Sequence, residues 1–282
     1  IQAYVADATK PEERSKALGW LSAATNAGVA IGPVIGSWTA HFGPAAPGLF
    51  AAGFTLVNMA FAYRYLTESH AIHAARAGER PRTGTAAITR VVSHSGEPAS
   101  RLIWIYAVAM GAFHGMTAIL ALFLAWKHGV TEKTIGYFFM YLGIISVVTR
   151  ALVLGRMVDR FGEPRLSRLG LGLLMSGLFL MPLAPGIPTL AIAVALIPLG
   201  TAFTFPCVTG MLSRVVSPHE RGLYMGVQQT FGGVARVVAP LWAGWAFDAL
   251  GRTVPFYTGA AMVIVAVMLG VGIERAPGIA QG

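Results

Sequence analysis

The sequence predicts an all-α protein that crosses a membrane repeatedly, and three observations carry that prediction. Apolar residues make up 55% of 282 positions, charged residues 12%, and mean hydropathy is +0.63, against roughly 25% charge in soluble domains. The apolar residues gather into eight runs, each near the ~20 residues that cross ~30 Å of hydrocarbon as helix. Basic residues then fall almost wholly on one side of the membrane those runs define.

The runs lie at about 18–40, 48–66, 102–126, 134–155, 169–185, 187–212, 223–247 and 253–273. The first carries Gly28, Gly32 and Gly36 at a spacing that lets a neighbouring helix approach closely. After the second comes the only long polar segment, 68–100, with His70, His73, Arg76, Arg80, Arg82, Arg90 and His94 among Gly, Thr, Ser and Ala. It reads as a cytoplasmic connector whose basic side chains lie near anionic headgroups. The run 102–126 holds His114 near its middle, 134–155 holds Tyr137, Tyr141 and Arg150, and 223–247 holds Gln228, Gln229 and Arg236. These three are expected to line a polar interior, because polar groups at membrane depth are costly and face inward. The runs 169–185 and 253–273 carry no charged residue and read as supports facing lipid.

A formal net charge of +9 would suggest nucleic acid in a soluble protein, but topology accounts for it better. With the first run leaving side one, sixteen of the 21 basic residues, from Lys10 and Arg14 to Arg221 and Arg275, fall on that side. Only Lys127, Lys133 and Arg252 reach the other, and Arg150 and Arg236 lie within runs. Side one is therefore expected to be cytoplasmic, both termini included, with no nucleic-acid partner. The single Cys207 excludes an internal disulfide and a multi-cysteine metal site; no metal or cofactor is expected.

The chain also echoes itself at an offset of 207 residues: Pro11, Glu13, Arg14, Gly19, Pro33 and Trp38 recur as Pro218, Glu220, Arg221, Gly226, Pro240 and Trp245. Both copies set a charged P-x-E-R cluster before an apolar run with Pro in its last third. Transporters are commonly built from such repeats. The Glu of each cluster suits a helix N-terminus, and Arg14 and Arg221 are alternatively latches between two bundles.

Two motifs name a family. Gly155-Arg-Met-Val-Asp159-Arg160-Phe-Gly162-Glu-Pro-Arg165 resembles the cytoplasmic-loop motif of the major facilitator superfamily, with the last basic position displaced because Glu163 follows Gly162. Gly28-Val-Ala-Ile-Gly32-Pro33-Val-Ile-Gly36-Ser37 is similar to that family's antiporter motif, Ser37 standing where it has a final Gly. The resemblance covers essentially the whole chain and implies two six-helix bundles around a central cavity. About eight of twelve membrane helices are expected here. Residues 1–67 would be the remainder of a first bundle (the end of helix four, then helices five and six), 68–100 the linker, 101–275 the second bundle and 276–282 a tail. The register of the echo implies three to four helices ahead of residue 1.

On this resemblance the chain reads as a secondary transporter of the drug:proton antiporter type in the plasma membrane, bacterial inner membrane by the family's habit. Its partners are expected to be membrane lipids, a small amphipathic substrate and protons, with the protein acting as a monomer. An uptake symporter or facilitator of the same superfamily is the alternative. A polytopic membrane enzyme lacks its signature, since the sequence has no H-E-x-x-H, no paired intramembrane Asp and no G-x-S-x-G. Candidates for the substrate or proton pathway are His114, whose ordinary pKa suits proton exchange, with Arg236, Gln229, Asn26, Phe203 and Phe205. Gly155, Asp159, Arg160, Gly162, Asp7, Arg14 and Arg221 are the cytoplasmic gate candidates. Each has a plainer reading: His114 as a packing residue, Arg236 bonded to carbonyls and water, Phe203 and Phe205 as core.

Overall fold

A computed structural model describes residues 28, 31–32, 35–36, 38–43, 45–65, 84–217, 220–276 and 279. Every described element is helical. The chain divides into two compact units, residues 1–81 with 131–143, and residues 82–130 with 144–282.

In the first unit the described part of the first run is helical, with Gly28, Gly32 and Gly36 all on it. No described atom lies within 4 Å of where a Cβ on these glycines would sit. Thr39 Oγ1 donates to the carbonyls of Ile35 (2.8 Å) and Gly36 (3.0 Å), and a 3₁₀ turn, Ala40–Phe42, ends the segment. Helix α1, Ala46–Tyr65, is apolar all round, as a membrane span must be. Asn26, Pro33, Asp7 and Arg14 lie outside the described residues.

The second unit is a bundle. Its amphipathic first helix, α2 (Gly84–Ser93), buries Ala87 and Val91 against α3 and α8. Helix α3 (Pro98–His128) is 31 residues, about 46 Å, longer than the hydrocarbon. Pro98 starts it and Gly129, at φ +65°, closes it, the usual asymmetry of helix ends. Helix α4 (Ile135–Val148), which begins in the first unit, runs through a π turn (Thr149–Val153) into α5 (Leu154–Phe161). Helices α6 (Glu163–Leu180), α7 (Ile187–Val215), α8 (Arg221–Ala249) and α9 (Val254–Gly270) follow.

Small residues set the packing. A Cβ on Gly170 of α6 would meet the Gly200 carbonyl oxygen at 2.7 Å, and one on Gly177 the Ala193 oxygen at 2.9 Å, so α6 and α7 touch backbone to backbone. Gly111 and Gly115 of α3 face Ala235 and Ala239 of α8 at 3.3–3.6 Å. Helix α9 bridges α3 and α6, through Phe123–Phe256 rings 4.5 Å apart and through Gly259 against Leu178. Its C-terminus is closed by Arg101, whose guanidinium donates to Leu269 O at 2.7 Å and to Val271 O; a cation suits that end of a helix.

Among the described residues six helices are long and apolar enough to cross a membrane: Ala46–Arg64, Pro98–His128, Ile135–Phe161, Glu163–Leu183, Ile187–Val215 and Val254–Arg275. The expected run 223–247 forms α8, which at 29 residues has the length but is not among the six. Gln228, Gln229, Thr230 and Arg236 dilute its apolar character, and it packs along α3.

Candidate functional site

Helix α8 presents a face of low bulk. Gly222, Gly226, Gln229, Gly233, Arg236, Pro240 and Gly244 recur at spacings of three and four, one stripe along the helix. No atom lies within 4 Å of a Cβ placed on Gly222, Gly226, Gly233 or Gly244. Gln229 and Arg236 thus project from a stripe that leaves open space beside them, and both are exposed.

Three helices meet at Gln229. Its Nε2 donates to the Tyr106 hydroxyl of α3 at 3.4 Å, and the Tyr106 ring lies 5.3 Å from that of Phe205 on α7. Gly232, one turn beyond Gln229, makes room for the Tyr106 ring: a Cβ there would stand 2.7 Å from Tyr106 Cε1. Tyr106 is itself 5% exposed, so what a ligand can reach at this junction is the half-buried Phe205 ring and the exposed Gln229 amide that the Tyr106 hydroxyl holds. One turn before Gly232, Gln228 is wholly buried; Thr209 of α7 donates to its Oε1 at 3.2 Å, while its Nε2 has no partner among the described residues.

His114 lies two turns along α3 from Tyr106, half-buried, its ring edge-on to Phe113 at 5.2 Å. Arg236 itself makes no hydrogen bond and no ion pair among the described residues. The other arginine inside a span, Arg150, donates to Ser146 Oγ one turn back. It stands in the π turn, a register change often found at functional sites.

Phe203, read from the sequence either as a pocket wall or as core, packs as a core side chain. It is 5% exposed and packs with Leu166 and Cys207 under Leu154, Met157 and Leu173, so it belongs to the core between α6 and α7. Phe205, two residues on, is half-buried on the side of Tyr106. Residues i and i+2 of a helix point about 200° apart, so the pair was never able to share one wall.

At the end of the bundle where the loop motif lies, Gly162 (φ +73°) joins α5 to α6 in a conformation glycine adopts freely. Gly155, Asp159 and Arg160 are exposed. The Arg160 guanidinium lies over Phe161 at 5.6 Å, and among the described residues Asp159 makes no ion pair. The displaced Glu163 instead pairs with Arg214 at the end of α7 and lies beneath Gly210, where a Cβ would meet Glu163 Oε1 at 2.7 Å. Arg221 Nε donates to Ser213 O at 2.8 Å, holding the start of α8 to the end of α7. Arg90 of α2 makes a two-pronged bond to Glu97 at 2.9 Å, and this carboxylate raises the guanidinium above its ordinary pKa. Tyr106, Gln228, Arg150 and the Glu163–Arg214 pair were not among the sequence candidates. A hydroxyl inside an apolar run was the available signal for Tyr106.

A second concavity, about 470 Å³, runs between α8 and α9 over α3, lined by Trp104, Val108, Gly111, Phe231, Val238 and Met262 among others. Val238 lies on the side of α8 opposite Arg236, and the groove offers almost nothing to orient a ligand by hydrogen bonds. Ligand sites combine apolar walls with a few placed polar groups, which favours the Tyr106–Gln229 wall.

The sequence matches the family described as Major Facilitator Superfamily over residues 1–162 and 148–278. It is 29% identical over 271 residues to Multidrug resistance protein 2 of Bacillus subtilis (strain 168), covering 94% of this chain and 66% of that protein. To Multidrug resistance protein 1 of the same organism it is 27% identical over 269 residues, 95% of this chain and 67% of the relative. Tetracycline resistance protein, class B, from Escherichia coli is 24% identical over 257 residues, 86% of this chain and 62% of the relative. The crystal structure of the human organic anion transporter MFSD10 (TETRAN) superposes with a TM-score of 0.69 at 22% identity, over 95% of this chain and 66% of that one. The chain thus spans about two thirds of the length of these proteins.

Proposed function

The chain belongs to the major facilitator superfamily, and on that premise we propose that it forms part of a proton-coupled efflux carrier for small amphipathic molecules, working by alternating access. The observation that carries this reading is the meeting of Tyr106, Phe205 and Gln229 from three helices beside the open stripe of α8. The Phe205 ring supplies an apolar surface and the Gln229 amide, positioned by the buried Tyr106 hydroxyl, fixes orientation, the pairing that amphipathic ligands need. The likeness to proteins named for multidrug and tetracycline resistance supports the efflux direction.

In this reading His114 takes up and releases the exchanged proton. An imidazole beside a guanidinium changes its protonation as the neighbouring charge is covered or bared by substrate. Gly162 is the pivot of the cytoplasmic loop, and the Glu163–Arg214 and Arg221–Ser213 contacts keep the cytoplasmic ends of α6, α7 and α8 moving as one piece. In this reading the protein acts as a monomer in the plasma membrane; the one-sided distribution of basic residues supports the further placing of its termini in the cytoplasm. The test is efflux of a lipophilic fluorescent dye from cells expressing the native gene. Efflux that stops when a protonophore collapses the gradient is expected. Efflux that persists unchanged contradicts the coupling, and no efflux contradicts the reading as a whole.

A further inference from the structure

We propose that the wall formed by Arg236, Gln229, Tyr106 and Phe205 recognises aromatic amphiphiles that carry one carboxylate, with Arg236 receiving the anion. This rests on the reading of that wall as the substrate site and names its substrate class.

Arg236 stands 15 residues after Arg221 and 13 before Ala249, about 20 Å from either end of α8. A guanidinium at that depth is costly unless an anion or several acceptors meet it. The described acids of this unit, Glu97, Asp159, Glu163, Glu220, Asp248 and Glu274, all stand at or near helix ends, and Arg236 has no hydrogen bond or ion pair among the described residues. Arg150, the other arginine within a span, is bonded to its own helix. Arg236 is therefore the cation held ready for an incoming partner. Gly233 leaves nothing within 4 Å beside it, and a guanidinium binds a carboxylate through two parallel N–H donors.

The rest of the ligand is specified by what lies along the stripe. Gln229 is seven residues before Arg236, two turns or about 10 Å; the Tyr106 hydroxyl stands against it at 3.4 Å, and the Phe205 ring in turn packs on Tyr106 at 5.3 Å. Helices α3 and α8 run parallel, since Tyr106 meets Gly232 and Gly115 meets Ala239. A molecule with its carboxylate at Arg236 and a ring system about 10 Å away lies along both helices at once.

The experiment uses three probes sharing the dansyl fluorophore: dansylglycine (carboxylate), dansylglycinamide (uncharged) and dansylcadaverine (amine). Binding to the purified native protein is measured in nanodiscs of zwitterionic lipid, so that no lipid anion competes. Dansylglycine is expected to bind about tenfold tighter than the amide, as a charge-assisted pair contributes. Arg236→Gln is expected to erase that preference while leaving amide affinity in place, and Arg236→Lys to keep part of it. A preference unchanged in Arg236→Gln, a preference for the amine, or equal loss of all three probes in Arg236→Lys and Arg236→Gln overturns the proposal; the last marks a structural role. Gradient-driven efflux of the amide without any carboxylate preference overturns the anion assignment and leaves the transport reading standing. Carboxylate-selective binding without gradient-driven movement of any probe does the reverse.

Discussion

Gly232 of α8 and Tyr106 of α3 fit together as a ring against a missing side chain: a Cβ at Gly232 would lie 2.7 Å from Tyr106 Cε1. This contact sets where the Tyr106 hydroxyl meets Gln229 and where its ring meets Phe205. Gly232→Ala must push the ring aside, and overpacking of this kind costs about 1–3 kcal/mol. The expected outcome is a modest fall in melting temperature together with a several-fold loss of substrate affinity. Thermal unfolding and probe binding, measured on the same preparation, check it.

Gly200 and Gly172 lie on facing helices and separate close packing from helix propensity. A Cβ on Gly200 would stand 2.6 Å from the Gly170 carbonyl oxygen and 2.6 Å from Leu174 N, both backbone atoms that cannot swing away, whereas nothing lies within 4 Å of Gly172. Gly200→Ala is expected to destabilise by about 3 kcal/mol or more. Gly172→Ala is expected to be neutral or slightly stabilising, by up to about 1 kcal/mol. Detergent-solubilised melting curves of the two variants provide the comparison.

Phe203 and Phe205 are expected to part company. Phe203→Ala removes a core side chain packed on Leu166 and Cys207 and is expected to cost about 3–5 kcal/mol. Phe205→Ala leaves the α6–α7 core intact, costs less than half of that, and is expected to lower substrate affinity. Equal stability losses, or a functional loss confined to Phe203→Ala, contradict the placement of the two rings.

Glu163 and Arg214 form an ion pair that is part-exposed, at 18% and 43%. Exposed pairs contribute about 0.2–1 kcal/mol. A double-mutant cycle with Glu163→Gln and Arg214→Gln should return a coupling in that range, shrinking in high salt. A coupling near zero at low salt removes the pair from the machinery that holds α6 to α7.

Much of this fold was legible because membrane burial acts on composition over ~20-residue lengths. The run 102–126 became Pro98–His128, extended at its start by a turn opening on Pro98, and 187–212 became Ile187–Val215, extended by three residues at its C-terminal end. The π turn at Thr149–Val153 was not legible, since it changes hydrogen-bond register without changing residue type. The partner of Glu163 was hidden for another reason. Arg214 is 51 residues away and only packing of α6 on α7 brings it near. The separation of Phe203 from Phe205, by contrast, was available from helical geometry alone. Gly28, Gly32 and Gly36 lie on a described helical stretch, while Asn26, Asp7, Arg14 and Pro33 fall outside the described residues.

Substrate-driven proton movement through the purified protein tests the central claim most directly. In proteoliposomes holding an inside-acid gradient and a trapped pH dye, adding an amphipathic substrate outside is expected to dissipate the gradient with the native protein. His114→Gln is expected to bind substrate and leave the gradient intact. A gradient that substrate does not touch in the native protein, or that decays equally with His114→Gln, contradicts proton-coupled exchange along this wall.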